Sequence, residues 1–165
     1  MSSKIVTLPE LQKDLHRLQA EGKRVVSTNG CFDLLHVGHL RYLQASQACG
    51  DVLVVLLNSD ASVKTFKDDQ RPIVPQAERA ELLAGLSCVD YIIIFDSTSP
   101  VDLLKALHPD VHTKGGQYTL ETLPEAPVLL SMGTKVVFID MVEGRSSSSL
   151  IQAILKAYPP ESKEG

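Results

Sequence analysis

Two histidines, His36 and His39, stand three residues apart with Val37 and Gly38 between them, behind the segment Thr28-Asn29-Gly30-Cys31-Phe32-Asp33-Leu34-Leu35. A short apolar run ends just before this segment, and a helical pattern over 40–48 follows it. The pair therefore falls where a strand hands over to a helix. At about 100° per residue, positions three apart lie about 60° apart around the axis, so both rings share one face. A helix start also presents unpaired N–H groups and a partial positive charge, which favour a phosphate. Histidines there suit an enzyme that stabilises charge on phosphorus. Blander arrangements fit the pair alone: one ring packs while the other caps, or both join Cys31 on zinc. Zinc needs a third or fourth suitably spaced ligand, and none is evident.

Other clusters could reach the same phosphate. Lys64, Lys67 and Arg71 lie within eight residues, in NSDASVKTFKDDQRP. They are either phosphate ligands or a solvated loop balanced by Asp68 and Asp69. Arg79 either braces the site or pairs near Glu81. In Lys114-Gly115-Gly116-Gln117-Tyr118, paired glycines allow close approach of backbone to a base or sugar, or make an ordinary tight turn. Glu143-Gly144-Arg145 leads into Ser146-Ser147-Ser148-Ser149, which serves equally as a helix N-cap or as a set of phosphate donors. Asp33 either braces the loop or helps organise magnesium held mainly by substrate phosphates. Cys31 has no partner base and reads as a small packed residue. Both common phosphate-loop patterns, GxxxxGK[ST] and GxGxxG, are missing.

The elements that must position these residues follow from hydropathy. Leu8, Leu11, Leu15 and Leu18 recur at helical spacing between Pro9 and Gly22, marking a leading helix within residues 1–22. Continuous apolar runs at 25–26, 52–57, 91–95 and 136–139, with a weaker one near Val111, suit strands buried on both faces. Helical patterns at 37–49, 60–66, 76–86, 100–107 and 125–132 lie between them. A last helix carries Leu150, Ile151, Ile154, Leu155 and Tyr158 on one stripe. The alternation predicts one α/β domain over 1–165: a Rossmann-like, doubly wound parallel sheet with helices on both faces. Ligands in that class collect at the carboxyl ends of the strands. The polar tail, 159–165, is expected to fray.

Composition bounds the partners. The 165 residues are 44% hydrophobic and 22% charged, as in a globular domain with a sizeable core. A net charge of −4, 5% aromatic content and no Trp argue against a nucleic-acid partner. Three cysteines without paired spacing argue for a reducing compartment. With no apolar leader and no run near about 20 apolar residues, the expectation is a cytoplasmic protein with no membrane partner.

The segment TNGCFDLLHVGH resembles the HxGH motif of the nucleotidyltransferase superfamily that includes the cytidylyltransferases. Further blocks carry the resemblance from about Lys4 to Leu155: Asn58-Ser59-Asp60, Arg71-Pro72, Arg79, 114–118 and 143–147. The Lys-Gly-Gly block narrows it to the bacterial D-glycero-β-D-manno-heptose 1-phosphate adenylyltransferases. The resemblance implies AMP transfer from ATP to the sugar phosphate, with Mg2+ carried mainly by the nucleotide phosphates and no protein-held metal. It implies His36, His39, Lys64 and Arg145 as catalytic residues. Nucleotide contacts would come from Asn29, Gly30, Cys31, Phe32, Gly38, Lys114, Gly115, Gly116, Ser146, Ser147 and Ser148. The sugar phosphate would meet Asp33, Asn58, Lys67, Arg71 and Gln117. Gln117 and Ser147-Ser148 depart from the family, which usually has Asp and Thr-Thr there. A homodimer or higher homo-oligomer is implied, with a separate sugar kinase upstream. Glycerol-3-phosphate with CTP, and a nucleotide-binding regulatory domain without catalysis, are the alternatives.

Overall fold

The computed structural model describes residues 3–159. Five parallel strands form one sheet: β1 (Val25–Gly30), β2 (Val52–Asn58), β3 (Tyr91–Phe95), β4 (Val111–Gly115) and β5 (Lys135–Ile139). Their spatial order is β3-β2-β1-β4-β5. Helices α1 (Leu8–Ala20), α2 (Val37–Gln47), α3 (Asp60–Lys64), α4 (Gln76–Ala84), α5 (Val101–Leu107), α6 (Ala126–Ser131) and α7 (Ser147–Ala157) connect and cover the strands. The chain builds outward from β1 to β3, then returns to the other side of β1 for β4 and β5. The order thus reverses between β1 and β4, and a crevice opens beyond their carboxyl ends.

Two apolar layers hold the sheet. Leu11 and Leu15 of α1, Leu104 and Leu107 of α5 and Leu129 of α6 pack against Val25, Val54 and Leu56. On the opposite face, Tyr42 and Leu43 of α2 and Ala80 and Leu83 of α4 pack against Val26, Val55 and Leu57. Every residue of β2 is buried, which explains its unbroken apolar run.

Two features differ from the sequence expectation. β1 continues past its apolar start to Gly30, taking in Ser27, Thr28 and Asn29. The buried hydroxyls are affordable in a strand because each finds a partner. Ser27 bonds His112 Nδ1 at 2.8 Å, while Thr28 meets the Tyr42 hydroxyl and the Thr113 carbonyl. The last helix forms where its stripe predicts, yet no residue of α7 is buried, and Ile154 and Leu155 are more than half exposed. Of the expected frayed tail, only Pro159 falls within the described residues.

Candidate active site

The site begins at Gly30, the last residue of β1. The chain then turns through Phe32 and Leu34, both in the left-handed region (φ 47° and 46°), before α2 starts. Such backbone is strained for residues with a side chain and persists only where its surroundings hold it. Asp33, between them, supplies the hold. Its carboxylate is 1% exposed and accepts from Arg71 Nε (2.7 Å), Ile73 N (2.9 Å) and Val74 N (3.0 Å). Its backbone carbonyl accepts from the Ser147 hydroxyl. Burial pushes the Asp33 pKa up, but these bonds together bring it below the ordinary carboxylate value.

His36 is the N-cap of α2, and its Nδ1 accepts from Gly38 N at 3.1 Å. An accepting Nδ1 makes the ring neutral with its proton on Nε2, a donor for an incoming oxyanion. Burial, with the Arg145 charge nearby, lowers the His36 pKa. His39 stacks on His36 with ring centroids 3.9 Å apart and touches Phe32 on its other side. Burial and then His36 push its pKa down to about 4, so it too is neutral near pH 7. Gly38 serves the pair. A Cβ there would lie 2.8 Å from His36 Cε1 and 3.4 Å from Arg145 Cβ. The glycine therefore makes room for the His36 ring itself.

The start of α7 meets this wall. Ser146 caps α7 by accepting from Ser149 N, and Ser147 is tied to Asp33. The Ser147 hydroxyl therefore donates its proton to the Asp33 carbonyl, whereas Ser146 Oγ accepts and keeps its own O–H free to donate. Arg145 is exposed beside His36, and Ser148 is exposed as well. The N-termini of α2 and α7 and the Arg145 side chain therefore lie side by side.

Beside it, a pocket of about 150 Å³ is lined by Asn29, Gly30, Cys31, Phe32 and His39 on one side. Tyr42, Lys114, Gly115 and Met141 line the other. Gly115 is required by crowding, since a Cβ would come within 2.6 Å of Met141 Sδ and 3.0 Å of the Tyr42 ring. Gly116 turns the chain at φ 101°. Gln117 is exposed at the rim. The Cys31 thiol is pushed up by burial more than Lys67, Arg79 and Arg71 pull it down, so it stays protonated and packs. A larger groove, about 460 Å³, lies at the amino ends of β4 and β5, bordered by Arg24, Cys49, Asp110 and Lys135. It holds none of the clustered chemistry, and the smaller pocket is the candidate site.

Several sequence expectations change role. Asp33 and Arg71 bind each other and pin the 71–74 segment to the His loop. Asn58, expected to meet the sugar phosphate, is 4% exposed and gives its amide to Ser62 Oγ at 2.9 Å. Arg79 resolves as a brace. It is fully buried and donates to the carbonyls of Cys31, Asn58 and Val74 and to Asp60 Oδ1 (2.7 Å). Lys64 and Lys67 are both exposed, but only Lys67 exerts a resolved charge effect on Cys31, within the site. Glu125 was not singled out from the sequence. It is buried next to Lys114, 11 residues away along the chain, and no spacing rule signals that contact.

A five-stranded parallel α/β sheet with a histidine pair beside its switch point is a nucleotidyltransferase-type fold. The chain belongs to the cytidylyltransferase-like family, whose model matches residues 27–154. Among its relatives, the Bifunctional protein HldE of Geobacter sulfurreducens is 47% identical over 159 residues, and that of Geobacter metallireducens 48%. Each alignment takes 96% of this chain and 32% of the relative, so the chain spans about a third of their length. Among solved structures, the lipopolysaccharide core biosynthesis protein of Thermoplasma volcanium GSS1 matches with a TM-score of 0.60 at 27% identity. That match covers 73% of this chain and 98% of the other.

Proposed function

We propose that the chain is an adenylyltransferase joining ATP and D-glycero-β-D-manno-heptose 1-phosphate into ADP-heptose and pyrophosphate. The observation that carries this is the convergence of neutral His36 and His39, Arg145 and the N-termini of α2 and α7 at the switch point. The relatives named Bifunctional protein HldE, similar over nearly the whole chain, support the choice of acceptor.

An oxygen of the sugar phosphate attacks the α-phosphorus of ATP in line. The bond from that phosphorus to the bridging oxygen breaks, and pyrophosphate leaves with its electron pair. No covalent enzyme intermediate forms, so catalysis rests on alignment and on donors aimed at developing charge. His36 Nε2–H, the first N–H groups of α2 and α7, and Arg145 supply those donors. The pocket between Gly30 and Gly115 takes the nucleoside, with Lys64 at the end of α3 as the phosphate ligand and Lys67 in the following loop as a second. No cluster of three potential metal ligands occurs among the described residues. The Asp33 carboxylate is also occupied by three donors. Mg2+, when bound with the nucleotide, would be held mainly by the triphosphate and would offset charge on the leaving group.

A sugar kinase supplies the acceptor, and the product feeds lipopolysaccharide core or another surface glycan. The exposed stripe of α7 supports a homo-oligomer. No helix among the described residues is long and apolar enough to cross a membrane. Pyrophosphate release across four nucleotides and a panel of sugar and polyol phosphates tests the assignment. ATP with the heptose phosphate should give the highest kcat/KM. A preference for CTP with glycerol 3-phosphate would reassign the substrates, and nucleotide binding without turnover on any acceptor would remove the enzyme assignment.

A further inference from the structure

Lys114, next to last in β4, has its ammonium in an unusual setting. The side chain is 14% exposed, its Nζ donates to Asn29 Oδ1 at 3.0 Å, and the Tyr118 ring lies 5.4 Å away. Behind it stands Glu125, just before α6, with a side chain 7% exposed and Oε1 3.9 Å from Lys114 Nζ. Its other oxygen, Oε2, is buried without a hydrogen-bond partner among the described residues. A buried carboxylate left half-satisfied is costly, and packing alone would be better served by an apolar residue.

We infer that Glu125 is a positioning residue: it holds the Lys114 ammonium in place, and Lys114 thereby fixes the orientation of the Asn29 amide in the pocket. An ammonium donates and cannot accept, so Asn29 must turn Oδ1 toward it. That leaves Asn29 Nδ2 as a donor for the ligand on the pocket wall. A neutral amine would accept as well as donate and would release this constraint.

Charge at Lys114 depends on Glu125. Burial pushes the Lys114 pKa down, and Glu125 and, less strongly, Cys31 push it back up. Two further titratable side chains stand near it: Tyr118, whose ring faces the ammonium, and His112 on the same strand, held neutral by burial, its pKa pushed down to about 3 with Lys114 contributing. Glu125 is thus the principal group keeping the amine charged. The inference rests on the nucleotide pocket proposed above, but its first readout needs no substrate.

The test is Glu125→Gln in the full chain, with Lys114 followed by 13Cε NMR against pH. The Lys114 pKa should fall by about one unit or more, the scale expected when an adjacent opposite charge is lost. In turnover assays the alkaline limb of kcat/KM should move to lower pH by the same amount. The variant then approaches wild type on the acid side and falls about tenfold behind on the alkaline side. An unchanged Lys114 titration overturns the proposal whatever the reaction proves to be. A uniform loss at every pH, the mark of a merely structural role, overturns it too.

Discussion

Gly38 illustrates how one missing side chain sets up the chemistry. Alanine there would favour the first turn of α2 by up to about 1 kcal/mol through helix propensity. It would also drive a methyl group into the His36 ring and disturb Arg145. The two effects act on different quantities. Gly38→Ala should leave the melting temperature near wild type while turnover drops about a hundredfold, comparable with His36→Ala. Steady-state kinetics beside thermal melts check this, and near-normal turnover in both variants would refute the role given to His36. The histidine pair was plain from its spacing. Its neutral state was not, because that depends on burial and on a hydrogen bond to Gly38 N that only the capped backbone supplies.

At the level of elements, Asp33 joins three segments: the strained loop after β1, the 71–74 segment and the start of α7. Removing one partner of a buried ion pair leaves the other charge uncompensated. Asp33→Asn should cost about 3 kcal/mol in denaturant unfolding, with Arg71 left unpaired. It should also raise KM for the nucleotide, because the loop carrying Lys67 and the turn carrying Arg145 lose their common anchor. Stability loss without any change in KM would confine Asp33 to folding. The strands and helices themselves were legible because apolar runs and helical stripes mark them directly. The polar half of β1 was hidden, since Ser27 and Thr28 are paid for by His112, Tyr42 and Thr113, which lie far off in sequence. Arg79 was equally hidden. A buried guanidinium satisfied by carbonyls leaves no periodic trace.

For the molecule as a whole, two histidines set the acid limit. His39 and His112 have folded pKa values of about 4 and about 3, below the ordinary 6.5. Between those values and 6.5 the unfolded chain binds protons that the native protein refuses, so stability rises with pH there and falls on acidification. Each histidine contributes a slope of up to about 1.4 kcal/mol per pH unit. Asp33, with its folded pKa depressed, extends the loss below about pH 4 as its carboxylate protonates. Denaturant midpoints measured from pH 7 to 4 should fall steadily, and a flat profile would contradict the buried neutral histidines.

The central place of β1 also governs how the chain can assemble. Its first residue pairs with Val52, 27 positions on, but its other edge waits for Val111 at Val26, 85 positions on. Until β4 arrives, Val26, Ser27 and Thr28 offer an unpaired ladder to any other extended segment. The pocket wall at Lys114 cannot exist before that step, so substrate binding should emerge late in refolding, after the β1–β2–β3 half has formed. A nascent chain that has emerged only as far as about residue 100 carries the histidine motif in full, and a sheet still open at its middle.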